Sequence, residues 1–156
     1  MLSMSKLRYR EADLEDLPQL LELEQQVIEA ERPFNPTITP SKTHYYNIKD
    51  LICSSESYLV VCEDRGEIIA TGYAQIRESK VSLQHDIHAY LGFMYVAPDW
   101  RGKGINKCVL ERLKEWSQKK GANNLYLDVY ALNTAAIRAY EKAGFDACIM
   151  EMKLCL

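Results

Sequence analysis

The sequence predicts an α/β domain, with a mixed sheet carrying helices on both faces. Three observations carry this. Helical and strand-like hydrophobic periods alternate along the chain. A tight hairpin signal, Glu63-Asp64-Arg65-Gly66, joins two of the strands. A glycine-spaced basic loop leads from a strand into an amphipathic helix, at Val96-Ala97-Pro98-Asp99-Trp100-Arg101-Gly102-Lys103-Gly104-Ile105-Asn106-Lys107. The 156 residues fit one domain, 1–156, with a single core.

The elements follow in order. Leu7–Arg10 is a short first strand. Asp13 caps a helix on which Leu14, Leu17, Leu20, Leu21, Leu23, Val27 and Ile28 recur at helical spacing, with Pro18 in its first turns, where proline does least harm. Three prolines make Glu31–Pro40 a loop. A second helix is expected from near Ser41, turning Tyr45, Ile48, Leu51 and Ile52 inward. Strands Ser57–Cys62 and Glu67–Ile76 flank the hairpin turn. The polar stretch Lys80–Asp86 is a loop, and strand Ile87–Val96 ends at Pro98. The helix from Lys103 places Ile105, Val109, Leu113 and Trp116 on one stripe, with Cys108 beside it, and stops at Gly121. Leu125–Tyr130 alternates as a strand. Asn133 caps a short helix ending at Gly144, and Phe145–Leu154 is the last strand. The order is βα(α)ββ followed by βαβαβ.

Composition narrows the classes of function. Hydrophobic residues at 47% and charged residues at 26% are typical of a water-soluble domain. No apolar run approaches the ~20 residues of a membrane span. Residues 1–6 lack the apolar core of a signal peptide, so the cytoplasm is the expected compartment. Five cysteines, without a C-x-x-C pair, read as reduced and buried, with Cys155 the most exposed. The net charge of −3 is segregated: Glu11–Glu31 holds eight acidic and no basic residues, while Arg101–Gly121 holds seven basic against two acidic. One end favours a cation and the other an anion, or both are solvated helix faces. The acidic total argues against nucleic acid.

The glycine loop and the helix start after it suit a pyrophosphate: glycines admit a bulky anion, and the first helical turn presents unpaired N–H groups at its positive end. A nucleotide-hydrolase phosphate loop is absent. A dinucleotide fingerprint lacks its third glycine, although Asp128 falls at a suggestive distance.

Two motifs in the right order resemble the GNAT superfamily of acetyl-CoA-dependent N-acetyltransferases. The cofactor signature Arg/Gln-x-x-Gly-x-Gly/Ala stands as Arg101-Gly102-Lys103-Gly104-Ile105-Asn106. The second landmark runs from Asn133 through Tyr140 to Gly144-Phe145. The clear match spans about Ile87 to Phe145, and the element order extends it over the chain. The resemblance implies a mostly antiparallel sheet with one parallel, splayed strand pair. It implies acetyl-CoA as cofactor and acetyl transfer to a primary amine, small or amino-acid-like, by direct attack in a ternary complex. A protein N-terminus or lysine is the alternative acceptor, and a CoA-binding module without turnover is the second alternative.

By the same resemblance, amides of Arg101 through Lys107 (Arg101, Gly102, Lys103, Gly104, Ile105, Asn106, Lys107) hold the diphosphate, with the charges of Arg101, Lys103 and Lys107. Met94, Tyr95 and Val96 line the pantetheine arm, and Asn133 contacts it besides capping its helix. Asn106 departs from the signature's small residue. A bulge in that strand frees an amide for the thioester oxygen. Gly92 is the candidate bulge, or a packing glycine. Tyr140 is the candidate general acid, or a buried structural tyrosine. Glutamate is missing from the strand before the signature, so His88 is the candidate base, with Asp86 or Tyr90 acting through water as alternatives; a strand histidine is also commonly a packing residue. Glu31, Phe34, Tyr45, Tyr46, Tyr73 and Tyr90 are candidate acceptor contacts, Glu29 sharing the ammonium role with Glu31; the aromatics read equally as core. His85, Asp86 and His88 suggest a metal site, but on a strand the two rings are expected to face opposite sides, so no metal is expected. Monomer and homodimer are both open, the final strand being able to pair across a dimer.

Overall fold

The computed structural model describes residues 6–156; residues 1–5, which the signal-peptide argument used, lie outside it. Five strands form one sheet in the order β1-β2-β3-β4-β5: β1 Leu7–Glu11, β2 Ser57–Asp64, β3 Glu67–Glu78, β4 Ile87–Val96 and β5 Leu125–Tyr126. The first four are antiparallel neighbours, and β4 and β5 are parallel. Arg65 and Gly66 both take positive φ in the β2–β3 turn, the geometry a two-residue hairpin loop requires.

Helices α1 (Leu17–Glu31) and α2 (Ile48–Cys53) cover one face; α3 (Ile105–Lys119) covers the other; α4 (Thr134–Lys142) follows β5. The first face buries Leu20, Leu23 and Val27 of α1 with Ile48 and Leu51 of α2 against Leu59, Tyr73 and Phe93. The second buries Ile105, Val109 and Leu113 of α3 against Val60, Ala70 and Leu91, while Trp116 stacks on Tyr58 at 5.7 Å. Among the described residues no helix is long and apolar enough to cross a membrane.

Several expected elements differ. The second helix begins at Ile48, capped by Asn47, rather than near Ser41. The chain before it is irregular because buried Glu24 claims its backbone: the Glu24 carboxylate accepts the Tyr45 and Tyr46 amides, both at 2.9 Å, and contacts His44 Nδ1 at 2.7 Å. Glu24 thus stands in the apolar stripe of α1, whereas Leu14 and Leu21 are exposed. β5 stops at Tyr126 instead of reaching Tyr130, because its ladder with β4 has only two rungs, Ala89 to Leu125 and Tyr90 to Tyr126. Phe145–Leu154 forms no strand; after Phe145 the chain is exposed and unpaired. Only Cys62 is buried among the cysteines; Cys53, Cys108, Cys148 and Cys155 are exposed, since apolar sequence neighbours do not bury a residue on a helix flank or in an unpaired tail.

Asp13 opens the first helical segment with a capping box to Asp16. Buried Asp16 also takes a bidentate pair from Arg10, at 2.7 and 2.8 Å, and Arg10 reaches Glu63 at 2.9 Å. This anchors α1 to β1 and β2. The Arg10 guanidinium holds the Asp16 carboxyl below the ordinary aspartate value. The resulting stability is complete above the unfolded value of about 3.9 and fades as pH falls through the lower folded one. Asp16→Asn is expected to lose about 2–3 kcal/mol at pH 7 and to show a shallower acid limb than the parent in urea titrations from pH 7 to 2; an equal limb would remove Asp16 from the acid response.

Candidate active site

A bulge in β4 shapes the site. Thr71 pairs with Tyr95 and Tyr73 with Gly92, so Phe93 and Met94 together face Gly72. Phe93 takes the left-handed conformation, φ 54°. The bulge therefore lies one residue past Gly92, on a residue that pattern reading would not choose. Gly92 is a packing glycine: a Cβ there would stand 2.5 Å from the Tyr73 ring. Gly72 makes room in the same way for the Met94 sulfur, 2.7 Å from an added Cβ. The extra residue reverses the strand's alternation. Before the bulge Leu91 packs toward α3; after it Phe93 and Tyr95 pack toward α1 and α2, and Met94 and Val96 toward α3.

Where β4 and β5 part, a cavity of about 540 Å³ opens. Its walls are Val27, Ala30, Glu31 and Phe34 from α1 and the turn after it, Met94, Tyr95 and Val96 of β4, Trp100 to Lys107 except Lys103, and Asn133, Ala136, Ala139 and Tyr140. Of the expected cofactor contacts, only Lys103 stays off this wall.

The floor at the start of α3 suits an anion. Gly104 is the N-cap, with φ 79°, and no side chain caps the helix. The Ile105, Asn106 and Lys107 amides therefore have no partner within the helix, and the helix dipole adds positive potential there. Gly102 also has positive φ, and an added Cβ at either glycine would meet nothing within 4 Å, so that side of the loop is open. Arg101 Nε donates to the Val96 carbonyl at 2.8 Å, holding the guanidinium at the rim. Half-buried Asn106 adds an amide where the signature has a small residue. These residues fit a diphosphate group.

The opposite end is aromatic and acidic. Burial raises the Glu31 carboxyl above the usual glutamate range, partly offset by the Tyr45 hydroxyl beside it. That hydroxyl is buried and completes no hydrogen bond. Tyr140 is pushed up to about 12, first by burial and then by the Glu31 charge. Tyr46 stacks on Phe93 with centroids 4.8 Å apart, and Phe34 on Tyr130 at 6.4 Å. Asn35 Nδ2 donates to the Tyr130 hydroxyl at 3.1 Å. Asn133 caps α4 by accepting the Ala136 amide at 3.3 Å while facing the cavity.

Other candidates fall elsewhere. Tyr73 and Tyr90 continue the aromatic wall beyond the cavity; the Tyr90 hydroxyl donates to Asp128 at 2.9 Å, and Arg77 lies 3.9 Å over its ring. His88 is not brought to the cavity. Its Nδ1 meets Ser79 Oγ at 2.9 Å, and burial followed by the His85 and Arg77 charges lowers its pKa. His85 also meets Ser79, at 2.7 Å, and the two rings are 6.2 Å apart. They do not face opposite sides, because His85 precedes the strand and lies in the loop. Among the described residues no three His, Cys, Asp or Glu gather as metal ligands.

Sequence reasoning missed Phe93, Trp100, Glu24 and Tyr130. Glu24 left a signal, a carboxylate between Leu20 and Ile28 on a buried stripe. Tyr130 left none, its partner Asn35 being 95 residues away.

Residues 24–145 match the Acetyltransferase (GNAT) family, and the chain belongs to it. Over 59 residues it is 37% identical to streptothricin acetyltransferase of Streptomyces lavendulae, covering 38% of this chain and 31% of that protein. It is 41% identical over 51 residues to the [Ribosomal protein bS18]-alanine N-acetyltransferase of Escherichia coli K12, covering 33% and 34%. The chain thus spans about a third of the length of these curated relatives. In structure it resembles a mutant protein from Bacillus halodurans, with TM-score 0.85 at 23% identity, covering 96% and 99% of the two chains. It also resembles a predicted acetyltransferase with acetyl-CoA from Clostridium acetobutylicum, with TM-score 0.73 at 21% identity, covering 96% of each. The mixed sheet with its splayed parallel pair is the fold of this family.

Gly92→Ala is expected to force Tyr73 off its position and to destabilise the protein by about 1–3 kcal/mol in urea unfolding; unchanged stability would show that the ring can be accommodated elsewhere.

Proposed function

We propose that the protein transfers the acetyl group of acetyl-CoA to the primary amine of a small or amino-acid-like molecule. The observation that carries this reading is that an uncapped glycine-led helix start, Glu31 and Tyr140 line the same cavity. One end attracts a diphosphate and the other an ammonium.

When bound, acetyl-CoA would supply a thioester whose acetyl carbon could bond to the amine nitrogen as its bond to sulfur breaks. The amides of Ile105, Asn106 and Lys107 bind the diphosphate with Arg101, and Lys103 adds charge from outside the wall. Met94, Tyr95, Val96 and Asn133 position the pantetheine arm. A main-chain amide released at the Phe93–Met94 bulge is placed to donate to the carbonyl oxygen. Glu31 binds the ammonium between Phe34 and Tyr45 and accepts its proton, a role that its burial favours over the ordinary carboxylate. Tyr140 donates a hydrogen bond to the departing sulfur, and the second proton lost from the new amide nitrogen ends on that sulfur as the free thiol. His88, engaged with Ser79, takes no part, while Tyr73 and Tyr90 complete the acceptor wall.

A small acceptor is favoured over a protein N-terminus by the aromatic enclosure around one carboxylate, formed by Phe34, Tyr45, Tyr46 and Tyr140. Thiol release from acetyl-CoA with a panel of small amines, amino-acid derivatives and short peptides tests the choice. Turnover with peptides alone would reverse it, and no turnover despite CoA binding would leave a binding module.

Tyr140→Phe is expected to lower kcat about 100-fold with little change in CoA affinity. Glu31→Gln is expected to lower kcat similarly and to abolish an acid limb that in the parent lies above pH ~4.3, the ordinary glutamate value. His88→Ala should leave kcat within about twofold; a loss like that of Glu31→Gln would return the base to His88. Asn106→Gly is expected to change the CoA dissociation constant a few-fold by calorimetry, about 1 kcal/mol; binding only after the change would refute this reading of the loop.

A further inference from the structure

Two phenol hydrogens beside Glu31 lack an acceptor. Among the described residues the Tyr45 hydroxyl is the only buried side-chain polar atom that completes no hydrogen bond. It lies beside the Glu31 carboxyl and the Tyr130 hydroxyl. A buried donor without a partner is destabilising, so a protein that keeps one has a use for it.

The direction of the Tyr130 hydroxyl follows from its neighbours. Asn35 Oδ1 accepts the Thr37 amide at 3.1 Å and the Thr37 hydroxyl at 2.6 Å. Its Nδ2 is therefore the atom that meets the Tyr130 hydroxyl, at 3.1 Å. An amide nitrogen only donates, so the Tyr130 oxygen accepts and its own hydrogen remains to be given. A chain from Tyr130 through Tyr45 to Glu31 would use both hydrogens, but the Tyr45 hydroxyl makes neither bond. Packing, not hydrogen bonding, holds the two rings: Tyr130 is stacked on Phe34 at 6.4 Å, and Tyr45 meets Tyr46 edge-on at 5.7 Å.

Charge limits what the two donors receive. The Glu31 charge acts on Tyr45 and Tyr46 from the coil before α2 and on Tyr140 from α4. No cation offsets it: burial and the Tyr45 hydroxyl alone set the Glu31 carboxyl. The adjacent Arg32 is committed to Glu29 and to the Thr39 carbonyl, both at 2.8 Å, and Arg101 is tied to the Val96 carbonyl at the other end of the cavity. A second carboxylate beside Glu31 would be repelled, so the oxygen that fits is neutral.

We propose that the acceptor is a primary amine with a neutral oxygen, hydroxyl or amide carbonyl, on the carbon next to the one that bears the amine. Tyr45 and Tyr130 donate to that oxygen while Glu31 holds the ammonium. The inference rests on the reading that Glu31 binds the acceptor amine, and it names the chemistry of that acceptor. Such a site is selective, because an analogue without the oxygen leaves two donors unpaired.

Rates of thiol release from acetyl-CoA with 2-aminoethanol, allylamine and glycine decide. The three amines are of similar basicity; allylamine lacks the oxygen, and glycine replaces it with a carboxylate. The expected kcat/KM for 2-aminoethanol exceeds that of each of the others by roughly tenfold or more. Tyr45→Phe and Tyr130→Phe remove only the hydroxyls. Each should lower the ratio of 2-aminoethanol to allylamine by about threefold or more, and the two together should bring it close to parity. Parity in the parent overturns the proposal, as does a ratio that survives the double substitution in a chain folded by far-UV circular dichroism. Glycine turned over as fast as 2-aminoethanol overturns it too. If the variants do not fold, the parent ratio decides alone: tenfold supports the proposal and parity overturns it. If the parent acetylates none of the three, the acetyl-transfer reading is what fails, and equilibrium dialysis of 2-aminoethanol and allylamine against the CoA-loaded chain decides the subsite. Tighter binding of 2-aminoethanol sustains it, and equal binding overturns it.

Discussion

The left-handed turn of Phe93 inside β4 is the constraint on which the site depends. A side chain at φ 54° costs about 1–2 kcal/mol of backbone strain, yet the sheet keeps it because several contacts require it. With one extra residue opposite Gly72, Phe93 joins Tyr46 and Tyr73 beneath α1 and α2, while Met94 turns over to α3. Two glycines make the arrangement possible, each absorbing a side chain from the neighbouring strand: Gly72 that of Met94 and Gly92 that of Tyr73. The parallel ladder with β5 has already ended at Tyr90 and Tyr126, short of the bulge. The gap beyond it is where the cavity opens. A regular β4 would continue the ladder and put Met94 on the wrong face.

Charge separation in the sequence becomes polarity in this cavity. The acidic first helix divides its carboxylates by task. Asp16 fixes the helix to the sheet through Arg10. Glu24, fully buried, takes the place of a regular helix by gathering the backbone of Tyr45 and Tyr46. That positions Tyr45 and Tyr46 beside Glu31, the third carboxylate, which ends in the cavity wall. Across from it stand Arg101, Lys107 and the positive end of α3. The burial that raises Glu31 thus depends on a loop that Glu24 holds in place, so two glutamates seven residues apart serve one site.

Most of the fold was legible because it follows from local rules. The hairpin at Arg65–Gly66, the caps at Asp13 and Asn133, the stripe of α3 and the stops at Gly121 and Gly144 each depend on a few adjacent residues. The cavity floor was legible for the same reason, its glycines and amides being contiguous. What escaped depends on distant partners. The coil before Ile48 reads as helix until Glu24 is seen to bind its amides from 21 and 22 residues away. The bulge falls on Phe93 rather than Gly92 because packing of Tyr73, on another strand, sets it. Phe145–Leu154 has the composition of a strand, but a strand exists only when an edge accepts it.

The proximity of Glu31 and Tyr140 gives the proposed chemistry an order. A tyrosine held at about 12 is a weaker acid than a thiol at about 8.5, by about 5 kcal/mol. Such a phenol does not give up its proton while Glu31 is charged, and it serves as a hydrogen-bond donor. Part of that reluctance comes from the Glu31 charge itself. When Glu31 takes the proton of an incoming ammonium, that charge vanishes and the phenol becomes more acidic. In the proposed reaction, deprotonation of the nucleophile by Glu31 therefore strengthens the hydrogen-bond donor beside it, at the stage when the sulfur begins to carry negative charge. A histidine at position 88 could not do this. Five residues of strand, about 16 Å at 3.3 Å per residue, separate it from the bulge, and it lies off the cavity wall, engaged with Ser79.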